Sequence, residues 1–95
     1  MAIKLNPDFA EAYNNLGGVL FNANMTEEAI DYYKEAIRIR PSLAIAHNNL
    51  GSALVQKGEM KEAVHHFRET VRLRPDLVAA RDNLELALLR LQELE

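Results

Sequence analysis

The chain repeats itself at a spacing of 34 residues. Pro7, Pro41 and Pro75 stand that far apart, and so do Asp8, Ser42 and Asp76, Phe9, Leu43 and Leu77, Leu16, Leu50 and Leu84, and Leu20, Leu54 and Leu88. A period of this length marks a stacked array, because each unit is a supersecondary element that cannot bury its own apolar face and must lend it to its neighbours. A globule built around one pocket is excluded. A residue that returns with the period also faces the same way in every unit.

Helix signals arrive in pairs within each period. Asp8 follows Pro7 and has Glu11 three residues on, an Asp version of the capping box, which predicts a helix from Phe9 to Asn22. Asn24 offers a left-handed stop. Thr26, Glu27 and Glu28 then open a second helix whose end carries Arg38 and Arg40, acid first and base last as the macrodipole prefers. Ile39-Arg40-Pro41 closes it. The second period repeats the scheme with Ser42 as cap, a helix to Gln56, Gly58 at the turn and a helix from Met60 to Leu73. The third has only its first helix, Leu77 to Leu94. The expected fold is all-α, five antiparallel helices joined by short turns.

These residues carry a family resemblance. Ala10-Glu11-Ala12-Tyr13-Asn14-Asn15-Leu16-Gly17, with Leu20, Ala29, Tyr33, Ala36 and Pro41, resembles the tetratricopeptide repeat pattern, and the second unit repeats it with Leu50, Gly51, Leu54, Gly58, Ala63, Phe67 and Pro75. Departures are His47 and Arg81 where an aromatic is usual, Asn24 where Gly is usual, and Thr70 where Ala is usual. The resemblance implies a right-handed solenoid of helix pairs acting as a protein-interaction scaffold. Its divisions are 1–9, the tail of a preceding repeat and linker; 10–43 and 44–77, two whole repeats; and 78–95, a C-terminal capping helix.

The pattern also has physical reasons. Gly17 and Gly51 fall mid-helix, where Gly costs roughly 1 kcal/mol relative to Ala, so something requires the missing side chain. Facing small residues, Ala29 and Ala63, point to a close helix crossing, with Tyr33, Phe67 and the leucines filling the space between neighbours. In the third unit the equivalent residue is Glu85, whose long charged side chain forbids such a crossing, so the last helix reads as a solvating cap. Ala2-Ile3-Lys4-Leu5-Asn6-Pro7 matches Ala36 to Pro41 and Thr70 to Pro75, so the chain is expected to open on the tail of a missing unit and to leave an apolar face uncapped. Leu84, Leu88 and Leu91 form one stripe directed at the preceding hairpin. Leu86, Leu89 and Leu94 point another way and, with Ile3 and Leu5, are the candidate residues for self-association through repeat ends.

Asn15, Asn49 and Asn83 recur in Tyr13-Asn14-Asn15-Leu16-Gly17, His47-Asn48-Asn49-Leu50-Gly51 and Arg81-Asp82-Asn83-Leu84-Glu85. In arrays that resemble this one, first helices line a concave groove and the residue two before the Gly faces into it. An amide offers one acceptor and two donors, matching the C=O and N–H of a peptide backbone. Packed helices lie roughly 8–10 Å apart and an extended chain advances about 3.3 Å per residue, so successive rungs meet every third residue of a bound strand. Three rungs then span roughly seven residues of an extended partner. Candidate neighbours in the groove are Asn14, Asn48 and Asp82, then Phe21, Val55 and Leu89, then Asn22, Gln56 and Arg90. The Asn-Asn-Leu-Gly runs are similar to those in the repeat domain of O-linked N-acetylglucosamine transferases. Some relatives clamp a terminal carboxylate with Lys and Arg; here Asn14 and Asn48 stand where Lys would help, so no such clamp is expected. Two readings of the ladder stay open, a grip on a peptide main chain and a solvated helix face inherited with the repeat.

Other functional classes find no support. The 95 residues carry no Cys, which leaves no disulfide, no thiolate metal site and no cysteine nucleophile. A net charge of −3 gives no nucleic-acid footprint. No apolar run approaches membrane-spanning length and no leader opens the chain, which favours a cytoplasmic setting. His65 and His66, near Glu62 and Glu69, lie about 100° apart on a helix, do not converge on one ion, and read as a solvated face. Tyr32-Tyr33 reads as one core aromatic, Tyr33, beside a surface or inter-repeat residue. With no nucleophile constellation and no phosphate loop, neither catalysis nor a cofactor is expected. The expected partner is a protein or peptide, or a second copy of the chain, and a recruiting fragment of a larger enzyme is the remaining alternative.

Overall fold

The computed structural model describes residues 9–94. Five α-helices follow one another: α1 (Phe9–Asn22), α2 (Thr26–Ile39), α3 (Ala44–Lys57), α4 (Met60–Leu73) and α5 (Val78–Leu94). The expected elements are all present, with ends shifted by a residue at α3 and α5. Asn24 does adopt the left-handed conformation, at φ 65°, and Gly58 does so at φ 92° while its N–H bonds back to the carbonyls of Leu54 and Val55. Each left-handed residue ends a first helix and turns the chain into the second.

Capping differs from expectation. The residue flanking α3 is Leu43, not Ser42, and it makes no side-chain cap bond. The chain after Arg40 closes a turn first, with Leu43 N–H donating to the Arg40 carbonyl at 3.0 Å, so Ser42 sits within that turn. The same turn recurs at Leu77, whose N–H donates to Arg74 O at 3.1 Å, and α5 follows it. Asp8, the expected cap of α1, lies outside the described residues.

The helices pair as antiparallel hairpins, α1 with α2 and α3 with α4; α2 also packs on α3 and α4 on α5. The result is a helical repeat solenoid. Its core is continuous between units: Ala29, Ile30, Tyr33, Leu50, Ala53, Leu54, Ala63, Val64, Phe67 and Ala87 form one buried cluster. Thr70 fits where a smaller residue is usual because its hydroxyl donates to the His66 carbonyl one turn back, at 2.9 Å.

The mid-helix glycines have a more specific reason than a close crossing against alanines. A Cβ on Gly17 would sit 2.6 Å from Cε1 of Tyr33, and one on Gly51 would sit 2.5 Å from Cε1 of Phe67. An aromatic ring, not Ala29 or Ala63, occupies the place of the missing side chain. The alanines are fully buried nearby. At the equivalent place in α5, Glu85 is exposed.

The two adjacent aromatic pairs also sit differently from expectation. Tyr32 stacks on Tyr13 of its own hairpin, with ring centroids 5.8 Å apart, so it is neither inter-repeat nor free surface. His66 occupies the same place one unit later and faces His47, with centroids 5.2 Å apart, instead of lying on a solvated face. His65 is exposed. Among the described residues no group of three or more His, Cys, Asp or Glu is placed to hold a metal ion.

Both ends of the stack carry apolar surface. On α1, Phe9, Leu16 and Val19 are 62%, 41% and 65% exposed, whereas their counterparts 34 residues on, Leu43, Leu50 and Ala53, are 8%, 0% and 0% exposed under α2. Ile3 and Leu5 lie outside the described residues. On α5, Leu84, Leu88 and Leu91 pack against the core as their spacing implies, and Leu86 and Leu89 point outward. The side chain of Leu94 is not described. No described helix is long and apolar enough to cross a membrane.

Candidate peptide-binding groove

The recurring asparagines lie on the first helices α1, α3 and α5, and the structure separates the two in each Asn-Asn pair. Asn49 Nδ2 donates to Asn14 Oδ1 at 3.0 Å, and Asn83 Nδ2 donates to Asn48 Oδ1 at 3.2 Å. Each bond runs from the second asparagine of one unit to the first asparagine of the unit before it. Asn14 is buried, 7% exposed, and Asn48 is half-buried; both are acceptors inside the stack. Asn15 and Asp82 are exposed at the two ends of this series, and Asn49 and Asn83 are half-buried.

The bond changes what each rung can offer. An amide has two donors and an oxygen acceptor, and one donor of Asn49 and of Asn83 is already committed. Each therefore keeps one N–H and one C=O, the complement of a single peptide unit, and holds them in an orientation fixed by the neighbouring unit. The signal for this was available as two adjacent asparagines in two successive units. The choice of partner was not, because it depends on how far one unit is offset on the next.

The apolar candidates divide similarly. Phe21 and Val55 are partly buried against the core, whereas Leu89 is exposed. Val55 also lines a crevice of about 180 Å³ between α3 and α5, with Ser52, Asn83, Leu86, Ala87 and Arg90, and with Phe67 of α4 beneath. Ser52 and the groove-side position of Leu86 were missed by reasoning from the repeat pattern. Ser52 follows Gly51 directly, so its place beside the helix crossing was the one clue.

Away from the rungs, His47 and His66 face each other. The Nδ1 atoms of the two rings are 3.0 Å apart, and His47 Nε2 lies 2.9 Å from the Pro41 carbonyl oxygen. Burial first, then the neighbouring His47 and His65, push the His66 imidazole down from 6.5 to about 4.

The family model of the tetratricopeptide repeat matches residues 8–76. The chain belongs to the tetratricopeptide repeat family. Among curated proteins no match is found. Two crystal structures of MamA are similar to this repeat chain. One superposes with a TM-score of 0.80 at 28% identity, covering 87% of this chain and 49% of that one. The other also gives 0.80, at 29% identity, covering 90% and 46%. This tetratricopeptide chain thus spans about half the length of the MamA chains it matches.

Proposed function

We propose that this tetratricopeptide chain is a non-catalytic scaffold that binds an extended segment of a partner protein along α1, α3 and α5, with Asn15, Asn49 and Asn83 as successive rungs. Its working units are residues 10–43 and 44–77, capped by 78–95. The observation that carries the reading is the inter-unit amide bond. Asn14 and Asn48 hold the next unit's rung in place, which lowers the ordering cost that binding must otherwise meet. Asn15 has no described unit before it and is the least constrained rung. Resemblance to the asparagine runs of O-linked N-acetylglucosamine transferase repeats supports a grip on the main chain.

Affinity through the rungs alone is weak. Hydrogen bonds contribute about 1 kcal/mol each, and ordering an extended peptide consumes most of that gain. Side-chain anchors or further repeats must supply the rest. The test is capture of interacting proteins by the intact chain and by the variant carrying Asn15→Ala, Asn49→Ala and Asn83→Ala, with molar mass measured alongside. Lost capture at unchanged mass and unchanged helicity supports the groove; equal capture by both chains eliminates it.

The exposed stripe of Phe9, Leu16 and Val19 supports a second reading, assembly through the ends of the stack. In that case Leu89, which lies outside the α3–α5 crevice, belongs to the opposite interface, and the groove is idle. Mass that rises with concentration and ignores the asparagine substitutions selects this reading.

A further inference from the structure

The crevice between α3 and α5 brings three things together. Its floor and walls are apolar, from Phe67, Ala87, Val55 and Leu86. A ladder amide, Asn83, stands at its edge. A cation, Arg90, lines it one helical turn from Leu86, on the same face of α5. At about 180 Å³ it is smaller than the roughly 300–1,000 Å³ typical of small-molecule and cofactor sites, so its scale suits one side chain.

The preceding gap, between α1 and α3, is built differently at equivalent positions. Counting back 34 residues replaces Val55 by Phe21, Leu86 by Ser52 and Arg90 by Gln56. A bulkier ring stands in place of the Val55 wall, a hydroxyl in place of the apolar Leu86 and a neutral amide in place of the charge. The two gaps therefore cannot read a partner alike. Arg90 is exposed and, among the described residues, makes no ion pair, so its guanidinium is available to a carboxylate, which it matches with two parallel N–H donors.

We infer that this crevice anchors one branched apolar side chain of the partner segment, with the carboxylate of an adjacent residue held by Arg90. The inference rests on the groove reading above and adds its side-chain specificity. The main chain passes Asn83, the apolar side chain drops onto Phe67 between Val55 and Leu86, and the neighbouring acid turns back toward Arg90. Apolar burial with a flanking Arg pair is the kind of focus that dominates peptide recognition, where the rungs alone read only extension.

The test is a ¹H–¹⁵N NMR titration of the full chain with the peptide acetyl-Gly-Gly-Leu-Asp-Gly-Gly-amide and with its Leu→Ala and Asp→Asn analogues. The expected result is saturable shifts at Ser52, Asn83, Leu86 and Arg90, with affinity falling roughly fivefold for the Asp→Asn analogue and for the Arg90→Gln chain. The Leu→Ala analogue should lose binding almost completely, as should a Val55→Trp chain that fills the crevice while keeping its helical circular dichroism. If all three peptides bind alike and shift Asn49 and Asn83, the anchor is overturned and the ladder stands. If no groove resonance moves with any peptide, both the anchor and the ladder reading are overturned.

Discussion

The Tyr13–Tyr32 stack of the first hairpin becomes His47–His66 in the second, and a titratable contact replaces an inert one. The hydrogen bond to the Pro41 carbonyl places a proton on Nε2 of His47, so in the neutral ring Nδ1 is an acceptor and His66 Nδ1–H donates to it. Glu62 favours the charged form of His66, while Lys34, His65 and His47 oppose it. The folded value of about 4 lies below the ordinary 6.5, so between these limits the unfolded chain binds a proton that the folded chain does not. The stability that this imidazole contributes is present above pH 6.5 and is lost as the pH falls toward 4. Thermal melts should show that decline, and the double variant His47→Tyr, His66→Tyr, which copies the first hairpin, should flatten it. Carboxylates paired with arginines, such as Glu69 with Arg72, also lose their contribution in acid, so the difference between the two chains is the quantity to read.

Two glycines in unlike surroundings give a second residue-scale prediction. Gly51→Ala drives a Cβ into the Phe67 ring and should cost about 1–3 kcal/mol in urea unfolding even after the helix-propensity gain. At Gly18 the nearest atom to an added Cβ is Tyr33 Oη at 3.9 Å, so Gly18→Ala should stabilise by up to about 1 kcal/mol. Gly17 and Gly51 were legible as positions that reject a side chain. That the obstacle is an aromatic ring was not, because the repeat pattern marks both the alanine and the aromatic of the second helix as partners.

At the scale of elements, α5 is a first helix that packs on α4 and touches α3. Its inner stripe, Leu84, Leu88 and Leu91, was readable from helical spacing, and so was the exposure of Glu85 where earlier units have Gly. Leu88 packs on the core and Leu89 does not. Leu88→Ala should therefore cost about 1–3 kcal/mol, less than a fully buried leucine, whereas Leu89→Ala should stay within about 0.5 kcal/mol in the same urea titration. Helix bounds were similarly legible, since Asn24, Gly58 and the prolines punctuate the chain locally. The cap of α3 was misplaced onto Ser42 because a turn closed by backbone bonds leaves no trace in side-chain type.

On the whole molecule, the stack has two unlike ends and one face that repeats. Phe9, Leu16 and Val19 keep the character of residues that are buried one unit later, so α1 presents a surface shaped for a helix of the α2 kind. Replacing Phe9 and Val19 by Ser should leave unfolding free energy within about 0.5 kcal/mol, because both are already exposed. If the ends assemble, the same change should abolish the rise of light-scattering mass across a hundredfold concentration series.

The sequence by itself determined the period, the five helices, the inner stripe of α5 and the places where asparagine recurs. Those follow from local rules: apolar spacing, left-handed stops, and the requirement that repeated residues occupy repeated environments. Only the tertiary structure decided which asparagine of each pair is spent within the stack, that His66 faces His47, and that a crevice between α3 and α5 opens beside Arg90. Each of these depends on the offset and rotation of one unit against the next, a property of packed surfaces that no single unit encodes in its own order of residues.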